Sequence, residues 1–511
     1  MKDVLSNATI PSNSRGAPLL LDWDVLHIIC NHLTDTFDIL SLSCTCASLR
    51  PVAMQRFLSV RPIVLKDARS TCNIHNLIFA DKTRRGPYVR ALQVTTWDIG
   101  TSYDTRDVAD RLLAILTCVD RLESFQTTGY LLRSKMSDTR ILPAIVQLTT
   151  LREISVVSEG WEDEAIRLVQ GVQSPLEIIH MDCLDFGYDD HSVHQVVTQH
   201  PALRSFIVDC AEGLPRLACL LQAFPALDRT LALDHQNDGR WWRLNDGLLH
   251  RVRDENRRAQ ESHCWVGLDY VSCEAHVFFA LGLQCPIRHA KIIDCSALTR
   301  DYVATALRDS PPRQLTLRIE LERGASVLDG LFPSELETTL THLDVTLCYA
   351  RGHEERCLAD MGFLNSVQWD ELLDTVVRSI SHLPLRCLSI RFFSCFTDYY
   401  RLGRYLELSE TFLRTVRNLP FEDVASRLAS AIPSLELVRL ITYGDMHRDR
   451  SKDTWWISRA FRVSYEDENC GGSRKRTQMV ELSTTAMHEI FARENMLIDV
   501  EVMKRYASKV E

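Results

Sequence analysis

The 511-residue sequence lacks any hydrophobic run long enough to cross a membrane. A spanning helix needs about 20 consecutive apolar residues, and the run Leu19–Leu21 is cut short by Asp22. The first 17 residues are polar and small, which is not typical of a secretory signal. We therefore expect an intracellular protein, cytoplasmic or nuclear, that binds no membrane and leaves the sequon at Asn7 unglycosylated.

Paired cysteine motifs are also lacking, although the chain has 17 cysteines. The closest spacing is Cys44-Thr45-Cys46, and no second pair accompanies it at the distance that zinc fingers require. We therefore expect reduced thiols and no metal site. Several cysteines end an apolar phrase, where a small buried side chain is the expected role, and these are Cys183, Cys210, Cys295, Cys348 and Cys395.

Basic charge and catalytic motifs are scarce as well. The net charge is −10 and the pI is near 6.0, which disfavours a nucleic-acid partner. The sequence contains no GxxxxGK[ST] phosphate loop, no GxSxG nucleophile turn and no HExxH zinc motif. His191 and His194 have the wrong spacing for two ligands on one helix face. We predict a protein that is not an enzyme and binds no cofactor.

The sequence predicts three short helices over residues 18–60. Asp22 is a suitable cap for the first helix, and Thr34-Asp35-Thr36 separates it from the second. Pro51 suits the first turn of the third. The apolar positions of the first two helices are Val25, Leu26, Ile28, Ile29, Leu33, Ile39, Leu40 and Leu42. Three helices in so few residues cannot bury this surface alone, so a partner or the rest of the chain must cover it.

This segment resembles an F-box. The family pattern of Leu-Pro-x-Glu, two apolar residues, Ile-x-x-x-Leu, a loop, Asp-Leu-Leu-x-Leu-Ser and Cys is matched at Leu21, Asp24, Val25, Leu26, Ile29, Leu33, Asp38, Ile39, Leu40, Leu42, Ser43 and Cys46. The layout and the phrase Leu49–Ala53 are similar to F-box proteins of mushroom-forming fungi. The chain departs from the pattern at Asp22, where proline is usual, and at Leu49, where tryptophan is common.

The resemblance implies binding to a Skp-type adaptor and, through it, to a cullin. The implied contact residues are Leu21, Val25, Leu26, Ile29, Leu33, Ile39, Leu40 and Leu42. Replacing Leu33 by Asp is expected to abolish that contact, because it would bury an unpaired carboxylate. The alternative interpretation is an ordinary helical cap whose apolar stripe is core.

A phrase of the form apolar-x-x-apolar-x-apolar recurs after residue 86. Its copies begin at Val89, Leu151, Leu176, Leu203, Ile287, Leu340, Leu385 and Leu435. Leu151, Leu176, Leu203 and the related Leu227 are 25, 27 and 24 residues apart. Leucine-rich repeats have periods of about 20–29 residues. The alternating tail of each phrase predicts a short strand, and the intervening segments predict helices.

The predicted fold class is therefore α/β, with the F-box-like helices followed by an irregular solenoid similar to leucine-rich repeats. The outward strand positions would form a protein-binding face, for which the candidate residues are His180, Ser205, Ile207, Asp344, Thr346 and Arg391. Trp241 and Trp242 lie in a segment, about 234–285, that interrupts the phrases. They are candidates for a partner contact, and the alternative is a flap packed on the repeats. Segments 349–382 and 392–430 interrupt the phrases in the same way.

These patterns predict a domain order. Residues 1–17 would be a disordered tail, 18–60 the F-box-like domain, 61–85 a helical linker, 86–450 the repeat-like domain and 451–511 a C-terminal cap. The leading functional hypothesis is a substrate-recognition adaptor of a Skp–cullin–F-box ubiquitin ligase with a protein substrate. The alternatives are an interaction scaffold with no ligase role, and an enzyme on a repeat-like scaffold.

Overall fold

The computed structural model confirms the α/β class. It describes residues 22–45, 47–80, 85–95, 105–128, 131, 139–157, 162–187, 198–234, 246–321, 323–350, 367–395, 409–445, 454–466, 476–494 and 496. The predicted tail, Leu21, Cys46, Trp241 and Trp242 lie outside these residues. No helix in these ranges is both long and apolar enough to span a membrane.

The described ranges contain fifteen α-helices and fifteen strands. The α-helices are α1 Trp23–His32, α2 Thr36–Thr45, α3 Arg50–Val60, α4 Ala68–Phe79, α5 Thr105–Cys118, α6 Ile141–Val146, α7 Glu162–Gly171, α8 Leu217–Ala223, α9 Asp246–Ser262, α10 Ala275–Leu281, α11 Arg300–Asp309, α12 Trp369–Ile380, α13 Glu410–Arg417, α14 Phe421–Ala431 and α15 Thr484–Arg493. The strands are β1 Ile63–Leu65, β2 Ala91–Val94, β3 Ser124–Thr128, β4 Glu153–Val157, β5 Ile178–Asp185, β6 Ser205–Glu212, β7 Thr230–Leu233, β8 Leu268–Glu274, β9 Ile287–Cys295, β10 Gln314–Glu320, β11 His342–Ala350, β12 Cys387–Cys395, β13 Leu437–Asp445, β14 Thr454–Glu466 and β15 Arg476–Glu481. Short 3-10 helices occupy Gly86–Tyr88, Ala325–Leu328 and Ser334–Thr338.

The chain divides into two compact units, one within 1–126 and 138–151 and the other within 127–137 and 152–511. In the first unit, the predicted helix starts are confirmed. Asp22 caps α1 by accepting a hydrogen bond from the amide of Asp24 at 3.3 Å. Asp35 accepts from the amide of Phe37 at 2.8 Å, just inside α2. Pro51 occupies the first turn of α3.

The same unit contains the stretch predicted as a helical linker, residues 61–85. It forms β1 followed by α4, and β1 pairs in parallel with β2. Asp67 and Ser70 form a reciprocal capping box at the start of α4, which satisfies two amides that have no partner within the helix.

In the second unit, strands β4 to β13 form a parallel sheet in chain order. The apolar phrases fall on its strands: Ile154 pairs with Ile179, and Ile179 with Phe206. All three side chains are buried. Strands β14 and β15 continue the sheet in antiparallel orientation. The parallel part alternates with helices, because parallel neighbours need a crossover connection.

The segment 234–285 was expected to interrupt this alternation, but its described part continues it. It contributes β8, which pairs with β7 and β9. The charged run Arg251–Glu261 lies within α9, and this helix buries Arg253, Asn256 and Gln260. The run is therefore one of the crossover helices rather than an exposed insertion, and its polar residues make buried hydrogen bonds.

Burial of the phrase-ending cysteines is confirmed for three of the five. Cys210, Cys295 and Cys348 are buried, and Cys183 is half-buried. The side chain of Cys395 lies outside the described set. Burial raises the pKa of Cys295 to about 12, so this thiol is an inert core group.

Candidate interaction surfaces

The three N-terminal helices enclose a small core of their own. Cys30, Ile39 and Ala53 are fully buried, one from each helix. Partly buried apolar side chains pack around them, and these are Leu33, Leu42, Val52, Phe57 and Val60. The Nε of Arg56 also donates to the carbonyl of Leu33 at 3.0 Å, which ties α3 to the end of α1.

The opposite side of α1 and α2 leaves large apolar groups in solvent. The exposed fractions are 41% for Val25, 57% for Ile28, 41% for Ile29, 76% for Phe37 and 38% for Leu40. These five side chains, called here the apolar face, are more than half of the nine exposed large hydrophobics in the described residues. Such a concentration in 16 residues indicates a contact surface, since scattered single exposed residues are ordinary.

Four exposed acidic side chains lie on or beside the same two helices. Asp22, Asp24, Asp35 and Asp38 are all exposed, and residues 16–49 contain no lysine or arginine. A partner with an apolar groove and basic edges would therefore complement this surface, because opposite potentials favour encounter and orientation.

The predicted adaptor contacts separate into two groups. Val25, Ile29 and Leu40 lie on the apolar face, and Leu26 is half-buried. Ile39, Leu33 and Leu42 instead build the internal core of the three helices. Phe37 was not among the predicted contacts, although it lies three residues before Leu40 and shares its exposed side of α2.

On the side of the sheet that carries the outward strand positions, called here the polar face, three side chains from β4, β5 and β6 form a hydrogen-bonded row. Ser155 Oγ lies 3.4 Å from His180 Nδ1, and His180 Nε2 lies 2.8 Å from Asp209 Oδ2. Serine, histidine and aspartate in this order also occur in hydrolytic triads. Here the row crosses the middle of paired strands whose backbone amides serve the sheet ladder. This arrangement favours a binding surface over a nucleophilic site, which needs free amides for an oxyanion.

The other predicted substrate-facing residues differ in accessibility. Ile207 and Thr346 are half-buried, whereas Ser205 and Asp344 are 6% and 4% exposed. Asp344 forms an ion pair with Arg391. The predicted face is therefore partly accessible at His180, Ile207 and Thr346, whereas Ser205 on β6 and Asp344 on β11 are covered.

On β11 the cover is the C-terminal segment, defined as α15 with Glu494 and Met496. Met487, Phe491 and Met496 form an apolar cluster with Cys387 and Leu437 on the sheet. Below this cluster lies Arg439, which is 2% exposed. The segment belongs to the region 451–511, which is predicted to cap the repeats, and it packs on β11 to β14.

Arg439 links the C-terminal segment to the sheet through several contacts. Its Nη2 donates to the carbonyl of Met496 at 2.9 Å and to Ser389 Oγ at 3.0 Å. Its guanidinium also lies 3.9 Å from Asp344 Oδ2. Burial lowers the pKa of Arg439 to about 10, and the nearby Asp344 opposes that shift.

One group of metal-ligating side chains converges under the same segment. His342, Cys387 and Glu494 place their ligand atoms within 4.8 Å of one another, and no other group of three was found in the described ranges. His342 Nε2 lies 2.9 Å from Glu494 Oε2. An open cleft of about 350 Å³, lined in part by Glu436, Arg493 and Glu494, adjoins the group.

A scan against models of protein families finds no match to this chain, and a search for similar curated proteins also finds none.

Proposed function

We propose that the chain is a substrate-recognition adaptor of a Skp–cullin–F-box ubiquitin ligase, with α1 and α2 docking on a Skp-type adaptor. The observation that carries this proposal is the apolar face, in which Ile28 and Phe37 are the most exposed members. The sequence resemblance to an F-box lies on these same helices. The two lines of support are independent, because one rests on residue identity and the other on exposure.

Burial of the apolar face would supply part of the binding free energy of such a complex. Burying a Val, Leu, Ile or Phe side chain fully is worth ~1.5–3 kcal/mol. The five side chains of the apolar face are already half-covered on average, so each contributes roughly half of that value. A few central residues should dominate affinity, as is usual at interfaces.

The second unit supports the substrate-binding half of the proposal. Its strand–helix alternation is similar to leucine-rich repeats, which use the strand side to bind other proteins. The row formed by Ser155, His180 and Asp209 gives that side polar groups that suit a peptide or a modified side chain. In this role the chain supplies no catalytic group. It raises the effective concentration of the substrate near the conjugating enzyme.

The test measures binding of a purified Skp-type adaptor by the full-length protein. We expect the Ile28→Asp, Phe37→Asp double variant to lose at least ~100-fold in affinity, because two carboxylates would be buried without partners. The matched control is Val266→Asp, which changes a 95% exposed side chain in the second unit. Leu33→Asp is a poorer probe than expected from the sequence, because Leu33 packs in the internal core.

Equal adaptor binding by the double variant and the control would refute this placement of the interface. If the intact folded chain does not bind a Skp-type adaptor, the scaffold hypothesis replaces the ligase role. In that case the apolar face would serve another protein partner.

A further inference from the structure

We propose that His342, Cys387 and Glu494 bind one Zn²⁺ ion, and that this ion fastens the C-terminal segment to the sheet. The three residues come from three separate elements. His342 begins β11, Cys387 begins β12, and Glu494 follows α15. This proposal is independent of the ligase role, which concerns the first unit.

The backbone sets two of the three ligands side by side. His342 and Cys387 are direct partners in the parallel pairing of β11 and β12. Paired residues on neighbouring strands point to the same face of a sheet. Both are also buried, at 4% and 3% exposure. The strand ladder therefore holds two ligands rigidly, and the C-terminal segment supplies the third from above.

The spacing suits a tetrahedral ion. Zinc bonds of about 2.0 Å to nitrogen or oxygen and about 2.3 Å to sulfur imply ligand atoms about 3.5 Å apart. The three ligand atoms lie within 4.8 Å of one another, and His342 Nε2 to Glu494 Oε2 is 2.9 Å. Small side-chain rotations would bring all three ligand atoms onto one ion.

The donor set matches zinc better than a hard cation. Imidazole, thiolate and carboxylate are all ordinary zinc ligands, whereas Mg²⁺ and Ca²⁺ prefer oxygen alone. A thiolate and a carboxylate together balance the two positive charges of the ion. Three protein ligands leave a fourth position for water, which the adjoining cleft beside Glu494 can supply.

A hydrogen bond on the other ring nitrogen orients His342 for this role. Thr341 Oγ1 lies 2.8 Å from His342 Nδ1 and 3.3 Å from the carbonyl of Arg313. When the hydroxyl donates to that carbonyl, it accepts from Nδ1–H, and the lone pair of His342 is left on Nε2. In the metal-free chain the 2.9 Å contact with Glu494 requires a proton on Nε2, and a bound ion would take the place of that proton. Metal-binding histidines regularly have such a partner on the other ring nitrogen.

One of the two neighbouring cations is neutralised by an ion pair of its own. Arg386, next to Cys387, forms a two-pronged pair with Glu436 at 2.9 Å. Arg439 lies near Asp344. Asp344 also pairs with Arg391, so the charge of Arg439 is only partly balanced, and the ion is held by the two anionic ligands of the site itself.

Metal binding would change the state of the thiol. Cys387 is a free thiol buried between the sheet and the C-terminal segment. On coordination an S–Zn bond replaces the S–H bond, and one proton leaves to solvent.

The test uses the full-length protein, freed of metal with a chelator and then titrated with Zn²⁺ or Co²⁺. We expect one ion per chain, a rise in melting temperature with Zn²⁺, and a thiolate-to-Co²⁺ charge-transfer band in the near ultraviolet. Cys387→Ser should abolish that band, and Glu494→Gln should weaken affinity at least tenfold. Thr341→Val should weaken it by about 10–100-fold, through loss of the hydrogen bond to His342 Nδ1.

The matched control is Cys273→Ser, which changes another fully buried strand cysteine on β8. This variant should bind metal as the unaltered chain does. If a variant of a buried residue fails to fold, the Glu494→Gln variant still tests the proposal, because Glu494 is only half-buried. Absence of the thiolate band in the folded unaltered chain, or equal affinity in the Glu494→Gln variant, would overturn the proposal.

Discussion

The guanidinium of Arg439 lies 4.2 Å from the ring centroid of Phe491. One residue lies on the strand β13 and the other on α15, and both are fully buried. A cation over an aromatic face in a desolvated site is worth about 2 kcal/mol. The pair therefore contributes directly to holding the C-terminal segment on the sheet.

We predict that Arg439→Ala destabilises the second unit by about 3–5 kcal/mol. The substitution removes the buried cation near Asp344 together with the bonds to Ser389 and Met496. Urea unfolding of the variant would measure the loss. Arg462→Ala, at an exposed position on β14, is the control and should change stability by no more than about 0.5 kcal/mol. Equal losses in the two variants would contradict the role assigned to Arg439.

Asn256 is predicted to be as sensitive, for a different reason. Its Oδ1 accepts from the amide of Leu217 at 2.7 Å, and its Nδ2 donates to the carbonyls of Pro215 and Ala280 at 3.0 and 2.9 Å. Asn256→Ala leaves those backbone groups buried without partners, which should cost about 3 kcal/mol. Arg258→Ala, on the exposed side of the same helix, is the comparison. A neutral Asn256→Ala in thermal or urea unfolding would show that water replaces the lost bonds.

Substitutions at two glycines distinguish the cost of backbone strain from the cost of steric overlap. Gly213 and Gly330 have positive φ angles of 77° and 73°. A Cβ on Gly213 would lie 2.4 Å from the carbonyl oxygen of Gly187, whereas a Cβ on Gly330 would meet nothing within 4 Å. We expect Gly330→Ala to cost about 1 kcal/mol through conformation alone. Gly213→Ala should cost clearly more, and equal costs in unfolding experiments would refute the difference.

His289 predicts a pH dependence of stability. Burial lowers its pKa to about 4 in the folded protein, and the unfolded value is about 6.5. Between these values the unfolded chain binds more protons, so this contribution is complete above about pH 6.5 and is lost as the pH falls toward 4. His289→Gln should flatten urea midpoints measured from pH 7 to pH 4.5. His382→Gln, at an exposed position, should keep the slope of the unaltered chain, and a His289→Gln slope equal to it would contradict the assignment.

Local sequence pattern predicted the strands that carry the apolar phrase, because alternation along a strand directly reflects which side is buried. Strand β10 does not carry the complete phrase and was not predicted from it. Its Leu315, Leu317 and Ile319 alternate and are buried, but Pro312 stands where the phrase requires an apolar residue. The strand is set by its neighbours β9 and β11 rather than by the phrase.

The candidate sites were less predictable, because they depend on contacts distant in sequence. The helical pattern identified Ile39 and Leu40 alike, and only packing against Cys30 and Ala53 decides which of them is buried. His342 and Glu494 are 152 residues apart, and Arg439 and Met496 are 57 apart. No local periodicity could indicate that these residues meet.

Strand order follows chain order from β4 to β13, and this affects how the sheet forms during synthesis. As the second unit emerges from the ribosome, each parallel strand from β5 to β13 finds its hydrogen-bonding partner already made, so the sheet can grow one crossover at a time. The C-terminal segment is translated after all of these strands. Until it arrives, Arg439 and Ser389 remain hydrated, and the nascent sheet displays a polar surface that the mature protein conceals.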